Sequence, residues 1–165
     1  PEMKSTGEVM GIGRSFCEAF SKSQIAAGSP VPRNGRMFIS VRDADQKAAV
    51  EDARNFGANG FEILATRGTA AVLGAAGVNV KQINKVSEGR PHIVDMIKND
   101  EIDIILNTVA DKKSVADAYL IRREALQHKV TNYTTLAAAR AAAEAHAFAG
   151  EFGIYCLQDL HREIT

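Results

Sequence analysis

Neither sign of charge dominates this sequence: 20 basic residues face 20 acidic ones, so the formal net charge is zero. Without a net field, the composition points neither to a nucleic-acid backbone nor to an anionic membrane surface. Small acidic ligands stay open through local clusters. Cysteine is scarce as well. Cys17 and Cys156 stand far apart, with no CxxC pair and no histidine at ligand spacing. That pattern supports neither a zinc site nor a disulfide framework. No apolar run approaches the ~20 residues that cross a bilayer, and the first residues lack the charged-then-apolar pattern of a secretory signal. The expected setting is cytoplasmic. Internal repeats are missing, and alanine enrichment is the one compositional bias.

What is present suffices for one core, since the chain has 165 residues of which 45% are hydrophobic, the scale of a single domain. Two of the four prolines fall with two glycines in Gly28-Ser-Pro-Val-Pro-Arg-Asn-Gly35, a linker composition. Ahead of it, Phe16, Cys17, Phe20 and Ile25 are spaced for one amphipathic helix. A lone helix cannot form a core, so this leader must pack on the main body or on chain outside this sequence.

After the linker, short apolar runs alternate with helical patterns. The readings are strand 37–41 and helix 46–56, strand 61–65 and helix 69–76, strand 78–83 and helix 91–98. They continue as strand 102–106 and helix 113–127, then strand 130–133 and helix 134–149. Such alternation predicts βαβ crossovers and an α/β fold with a parallel sheet covered on both faces. Asp43 or Asp45 is placed to cap the first of these helices and Gly57 to end it. Thr134 or Thr135 and Gly150 bound the last, whose alanines allow close approach to the sheet. Phe152–Leu157 reads as an edge strand before a polar turn.

Open parallel sheets bind ligands beyond the carboxyl ends of their strands. Polar residues recur there: Arg42-Asp43, then Thr66-Arg67-Gly68-Thr69, then Asn84-Lys85, then Asn107-Thr108. The second exit is the most informative. A strand that ends in hydroxyls and glycine and opens directly into a helix gathers free N–H groups and a positive dipole end, which suits a phosphate. Threonine at a helix start is also an ordinary cap, so the site reading rests on Lys85 and Asn107 at neighbouring exits.

Three longer stretches carry a family resemblance: Thr66-Arg-Gly-Thr-Ala-Ala-Val-Leu-Gly-Ala-Ala-Gly77, Asn84-Lys-Val-Ser-Glu-Gly-Arg-Pro-His-Ile93 and Leu120-Ile-Arg-Arg-Glu-Ala-Leu-Gln127. Together they resemble the C-terminal regulatory domain of the large subunit of carbamoyl-phosphate synthase. Pro1-Glu-Met-Lys-Ser-Thr-Gly-Glu-Val-Met-Gly11 is similar to the segment closing that subunit's second ATP-grasp synthetase domain. The resemblance implies a fragment of a longer polypeptide: residues 1–27 the tail of the synthetase domain, 28–35 a linker, and 36–165 a methylglyoxal-synthase-like domain. Its fold would be a three-layer α/β/α sandwich on a five-stranded parallel sheet, Rossmann-like or flavodoxin-like. Such a domain regulates and does not catalyse.

In that family UMP inhibits and IMP activates through one shared pocket, and ornithine activates at the junction with the synthetase domain. Carried over by matching position, Thr66, Gly68, Thr69 and Lys85 hold the effector phosphate. Asn107 and Thr108 line the ribose and phosphate side, Asp117 accepts from the ribose hydroxyls, and Thr134 touches ornithine. Where the family has a phosphate-facing lysine this chain has Gln46 followed by Lys47, so that contact is lost or moved by about 100° around the helix. Val109 and Ala110-Asp111 also depart from the family's hydroxyl and small-residue turn. No cofactor or metal is expected in this fragment. The resemblance assigns ATP with magnesium or manganese, and potassium, to the parent enzyme, a glutamine-hydrolysing ligase. Implied partners are the rest of the large subunit, the small glutaminase subunit and a homo-oligomer, with no nucleic acid and no membrane.

Two other classes compete. Methylglyoxal synthases share the fold and use a carboxylate base from a Gly-Gly-Asp segment, to act on dihydroxyacetone phosphate. Glu88-Gly-Arg90 stands at that place here, and arginine does not abstract protons at neutral pH. A purely structural domain, binding no effector, is the third reading. Gly11-Ile-Gly13 mimics the start of a dinucleotide fingerprint but lacks its third glycine and a preceding strand. The four histidines share no ligand spacing, and His146 reads as a surface or packing residue. Lys112-Lys113 and Arg122-Arg123 read as solvated helix faces, with Arg122 or Arg123 free to pair across a subunit junction.

Overall fold

The computed structural model describes residues 8–109, 112–146 and 152–164. Its centre is the apolar run of β1 (Gly35–Ser40), in which Met37, Phe38 and Ile39 are all fully buried. A strand buried on both faces must be flanked by strands on both sides and helices above and below. β2 (Phe61–Thr66) pairs on one side with Met37 opposite Ile63, and β4 (Ile104–Asn107) on the other with Met37 opposite Ile104. β3 (Val80–Ile83) and β5 (Thr131–Tyr133) form the edges. The order is β3-β2-β1-β4-β5 and every pairing is parallel. This is the Rossmann order, not the flavodoxin one.

The strand period of two sorts the core into two layers. Met37, Ile39, Ile63, Ile104, Leu106 and Tyr133 face one side, against Phe56 of α2 (Gln46–Ala58), Leu73 of α3 (Arg67–Ala75) and the buried alanines of α6 (Leu136–His146). Phe38, Leu64 and Ile105 face the other, against Ile93 and Ile97 of α4 (Ile93–Lys98) and Ile121 and Ala125 of α5 (Lys112–Gln127). Buried aliphatic and aromatic side chains of this size each contribute on the order of 1.5–3 kcal/mol. In α2 the inward positions Ala49, Asp52, Ala53 and Phe56 follow the helical repeat, and one of them is a carboxylate. Asp52 is wholly buried, and its Oδ1 accepts from Arg140 Nε of α6 at 3.3 Å.

Several expected boundaries move. Asp43–Asp45 forms a 3-10 turn in place of a side-chain cap, because Asp45 pairs with Arg42 Nε at 2.8 Å and Asp43 accepts from Gln46 Nε2 at 2.9 Å. Gly57 lies inside α2, and the turn that closes it falls at Asn59 and Gly60, where φ is 90°. Thr135, not Thr134, caps α6: its Oγ1 accepts from the Ala138 N–H at 3.2 Å. The expected cap Gly150 lies outside the described residues. Phe152–Leu157 is not an edge strand; residues 152–156 are irregular and lead into α7 (Leu157–Ile164).

The leader helix α1 (Phe16–Ala26) packs along α6, but not by its expected apolar face. Phe20 meets the core while Phe16 and Ile25 stay exposed, and the buried side chain is Glu18. Four donors make that burial tolerable: Lys22 Nζ at 2.8 Å, Tyr155 OH at 2.9 Å, and the N–H groups of Arg14 and Gly153 at 3.0 Å each. Gly13 permits the leader to lie this close, since a Cβ there would sit 2.7 Å from the Ala19 nitrogen. Lys22 also stacks over the Tyr155 ring at 4.5 Å. The cluster ties the leader, α1 and the tail together.

The Lys22 ammonium is the main reason that the Glu18 carboxyl sits at about 2 in place of 4.5; burial opposes it, and the Tyr155 hydroxyl and the two N–H groups assist. A carboxyl with a depressed folded pKa stabilises fully above its unfolded value and loses that contribution as pH falls through the folded one. The tail should therefore stay docked at neutral pH and release between pH 4.5 and about 2. Amide exchange at Gly153, followed against pH, checks this. Glu18→Gln should remove most of that protection at neutral pH already.

Candidate functional site

In a sheet of this order the loops diverge at the carboxyl ends of β1 and β4, and a crevice must open there. A cleft of about 630 Å³ occupies that place, within the roughly 300–1,000 Å³ of small-molecule sites. Its walls come from the β1–α2 loop, the N-terminus of α3, the loop after β3, the end of β4 and the inner face of α5. A smaller depression of about 340 Å³, near Arg54, Glu62 and Lys81, lies at the other ends of β2 and β3.

Thr66, Gly68, Thr69, Lys85, Asn107, Thr108 and Asp117 all line the larger cleft. Thr66 ends β2 and Thr69 sits in the first turn of α3, both almost fully buried. No side chain caps α3, so its first N–H groups are left to the cleft. Lys85 is exposed, and its ammonium has no partner among the described residues. Asn107 is buried; its Nδ2 donates to the Ser40 carbonyl at 3.3 Å, while its Oδ1 has no partner among the described residues.

Thr108 is committed to the scaffold. Its Oγ1 accepts from the Arg42 N–H at 3.0 Å. The Asp45 carboxyl lies below its usual range, first because Arg42 donates to it, with burial opposing and the Thr108 hydroxyl adding a further bond. Asp117 Oδ2 accepts from Ser87 Oγ at 3.1 Å. Gln46, and not Lys47, lines the cleft; Lys47 is exposed one position further round α2. Thr134 is exposed after β5 and is not part of this cleft. Ala110 and Asp111 lie outside the described residues.

Sequence reading passed over Ser40. It ends β1 opposite Asn107, its Oγ lies 3.4 Å from Thr66 Oγ1, and its carbonyl also accepts from the Thr108 N–H at 3.1 Å. The expected strand 37–41 enclosed it, and only the structure ends β1 at Ser40. Arg122 was read as solvated, yet its Nη2 donates to the Asn107 carbonyl at 3.3 Å and braces the end of β4. His146 is a packing residue: it lies edge-on to Phe61 at 5.5 Å, and its Nε2 donates to the Arg33 carbonyl at 2.7 Å. Arg90 points away from the cleft to Asp95 at 2.8 Å. Among the described residues no cluster of acidic, histidine or cysteine groups could hold a metal, and no helix is long and apolar enough to cross a membrane.

The fold and cleft define a Rossmann-ordered α/β domain with a polar crevice at its switch point. Residues 48–134 match the family described as the MGS-like domain, and the chain belongs to that family. It is 56% identical over 161 residues to the carbamoyl phosphate synthase large chain of Pseudomonas putida, which covers 98% of this chain and 15% of that protein. The large chain of Pseudomonas aeruginosa is 54% identical over 164 residues, covering 99% of this chain and 15% of the relative. That of Ralstonia nicotianae is 50% identical over 165 residues, again 15% of its length. The chain thus spans 15% of the length of these relatives.

Proposed function

We propose that this chain is a non-catalytic effector-sensing domain of a carbamoyl-phosphate synthase large subunit, in which the cleft binds a nucleoside monophosphate, UMP as inhibitor and IMP as activator. Residues 1–27 are then the tail of the ATP-grasp domain, 28–35 the linker and 36–165 the sensing domain. The ligase chemistry, with ATP, its metal ions and the glutaminase subunit, belongs to the rest of that assembly. The observation that carries the reading is the joint placement of Thr66, Thr69, the uncapped start of α3 and Lys85, whose ammonium is unpaired among the described residues, around one cleft. A phosphate there gains charge-assisted hydrogen bonds. Thr134, at the opposite edge of the strand ends, is assigned to ornithine with groups supplied by the preceding domain.

An effector that orders the loops bearing Lys85 and Asn107 changes the face presented to the synthetase domain, and coupling of typically 1–3 kcal/mol shifts activity about five- to 150-fold. A lyase reading is less favoured, because arginine stands at the family's base position and the nearest carboxylate is engaged. Glu88, the carboxylate nearest the family's catalytic place in sequence, accepts from the Lys85 N–H at 2.9 Å and faces Arg67 at 3.6 Å. Calorimetric titration with UMP and IMP should show saturable binding, and dihydroxyacetone phosphate should yield no methylglyoxal. Heat-free titrations with unchanged thermal stability would favour the purely structural role.

A further inference from the structure

Two polar tethers join elements that wall the cleft. One is the Ser87–Asp117 hydrogen bond from the loop after β3 to α5. The other joins that loop to α3: Arg67 Nη2 lies 3.6 Å from Glu88 Oε1, while Glu88 Oε2 accepts from the Lys85 N–H at 2.9 Å. Glu88 thus keeps a negative charge on the lining of a cleft that Lys85 and the first turn of α3 also line, the two features that suit an anion. It also occupies Arg67, the first residue of α3.

The pair is built to be exchangeable. Arg67 is 76% exposed along its side chain and Glu88 31%. An ion pair in such contact with water holds weakly and yields to a better acceptor. A phosphate monoester seated at Thr66 and Thr69 presents that acceptor, since guanidinium matches phosphate oxygens in a two-pronged fork and phosphate carries more charge than a carboxylate. The same phosphate repels Glu88 at short range. Glu88 keeps its bond to the Lys85 N–H when Arg67 leaves, so the exchange need not unfold the loop.

On the reading that this cleft takes a phosphate, we propose that Arg67 and Glu88 form a counter-ion switch on the elements that wall it: the bound phosphate displaces Glu88 from Arg67, and Glu88 sets how tightly the site holds anions. Arg67 is thereby a specificity-determining residue for phosphorylated over unphosphorylated ligands. The chemical class selected is a phosphate monoester whose phosphate sits at the start of α3.

A double-mutant cycle tests this, with UMP, uridine and inorganic phosphate titrated calorimetrically into the chain. Glu88→Gln retains an acceptor for the Lys85 N–H but removes the charge. It should tighten UMP and inorganic phosphate about two- to fivefold at low salt, the range of exposed ion pairs. It should leave uridine unchanged, and most of the gain should vanish in ~1 M salt, where the Debye length is about 3 Å. Arg67→Ala should weaken UMP by a similar factor and abolish most of the gain from Glu88→Gln. An equal gain with and without Arg67 would reduce Glu88 to a background field and overturn the switch, as would wild-type affinity in Glu88→Gln. Should the unaltered chain bind neither UMP nor inorganic phosphate, the phosphate reading itself falls, and the switch with it.

Discussion

Replacing Arg140 by alanine is expected to destabilise the fold by about 3 kcal/mol, the low end for breaking a buried pair because the guanidinium is half exposed. The loss is large because of what stays behind. Asp52 is fully buried between α2 and α6, and its Oδ2 has no partner among the described residues even with Arg140 present. Burial already raises its carboxyl above 3.8, with the Arg140 hydrogen bond and charge holding it down and Glu51 and Glu144 pushing it up. Without Arg140 the pKa must climb further.

A carboxyl whose folded pKa exceeds its unfolded one costs stability increasingly as pH rises between the two. The Arg140→Ala deficit should therefore be greatest at neutral pH and shrink on acidification below the raised folded pKa. Urea unfolding of variant and parent at several pH values reads the difference directly. Adding Asp52→Asn should restore much of the loss at neutral pH, since a neutral amide is less costly to bury than an unpaired charge. A deficit that ignores both pH and Asp52→Asn would show that Arg140 acts through packing alone.

Lys85→Ala should weaken UMP about 10- to 150-fold, the equivalent of the ~1.5–3 kcal/mol carried by a hydrogen bond to a charged group. Lys85 is exposed and makes no side-chain bond among the described residues, so the fold should be indifferent to its removal. Unchanged melting temperature beside lost affinity is the expected signature. Lys47→Ala, one turn position away from the cleft, should leave UMP affinity untouched. Equal affinity in Lys85→Ala would remove the phosphate assignment.

The layered fold was legible because strands and helices carry different periods, and Met37–Ile39 could only be a strand buried on both faces. The strand order was not legible: alternation of strand and helix gives no register between distant strands, so the central place of β1 emerges only in three dimensions. The same limit hid Ser40, since a serine inside an apolar run is unremarkable until Thr66 and Asn107 flank it. Thr66, Thr69 and Lys85 were readable because local sequence places each at a strand exit. Glu18 went unnoticed for the opposite reason. Charged helix residues ordinarily face water, and the groups that reverse this, Gly153 and Tyr155, lie 135 and 137 residues away. In α2 a helix offset of one residue decided between Gln46 and Lys47, finer than pattern reading resolves.

The wound sheet has a seam between β1 and β4, and the cleft sits astride it. Ser40, Thr66, Thr69 and Lys85 come from the portion of chain that builds one side, Asn107 and Asp117 from the portion that builds the other. Neither portion alone supplies a complete floor. An occupant therefore acts as a rivet: it is gripped only by the fully assembled domain, and its binding energy resists the cooperative parting of both sides. At a hundredfold excess over its dissociation constant, that reinforcement amounts to about 2.7 kcal/mol.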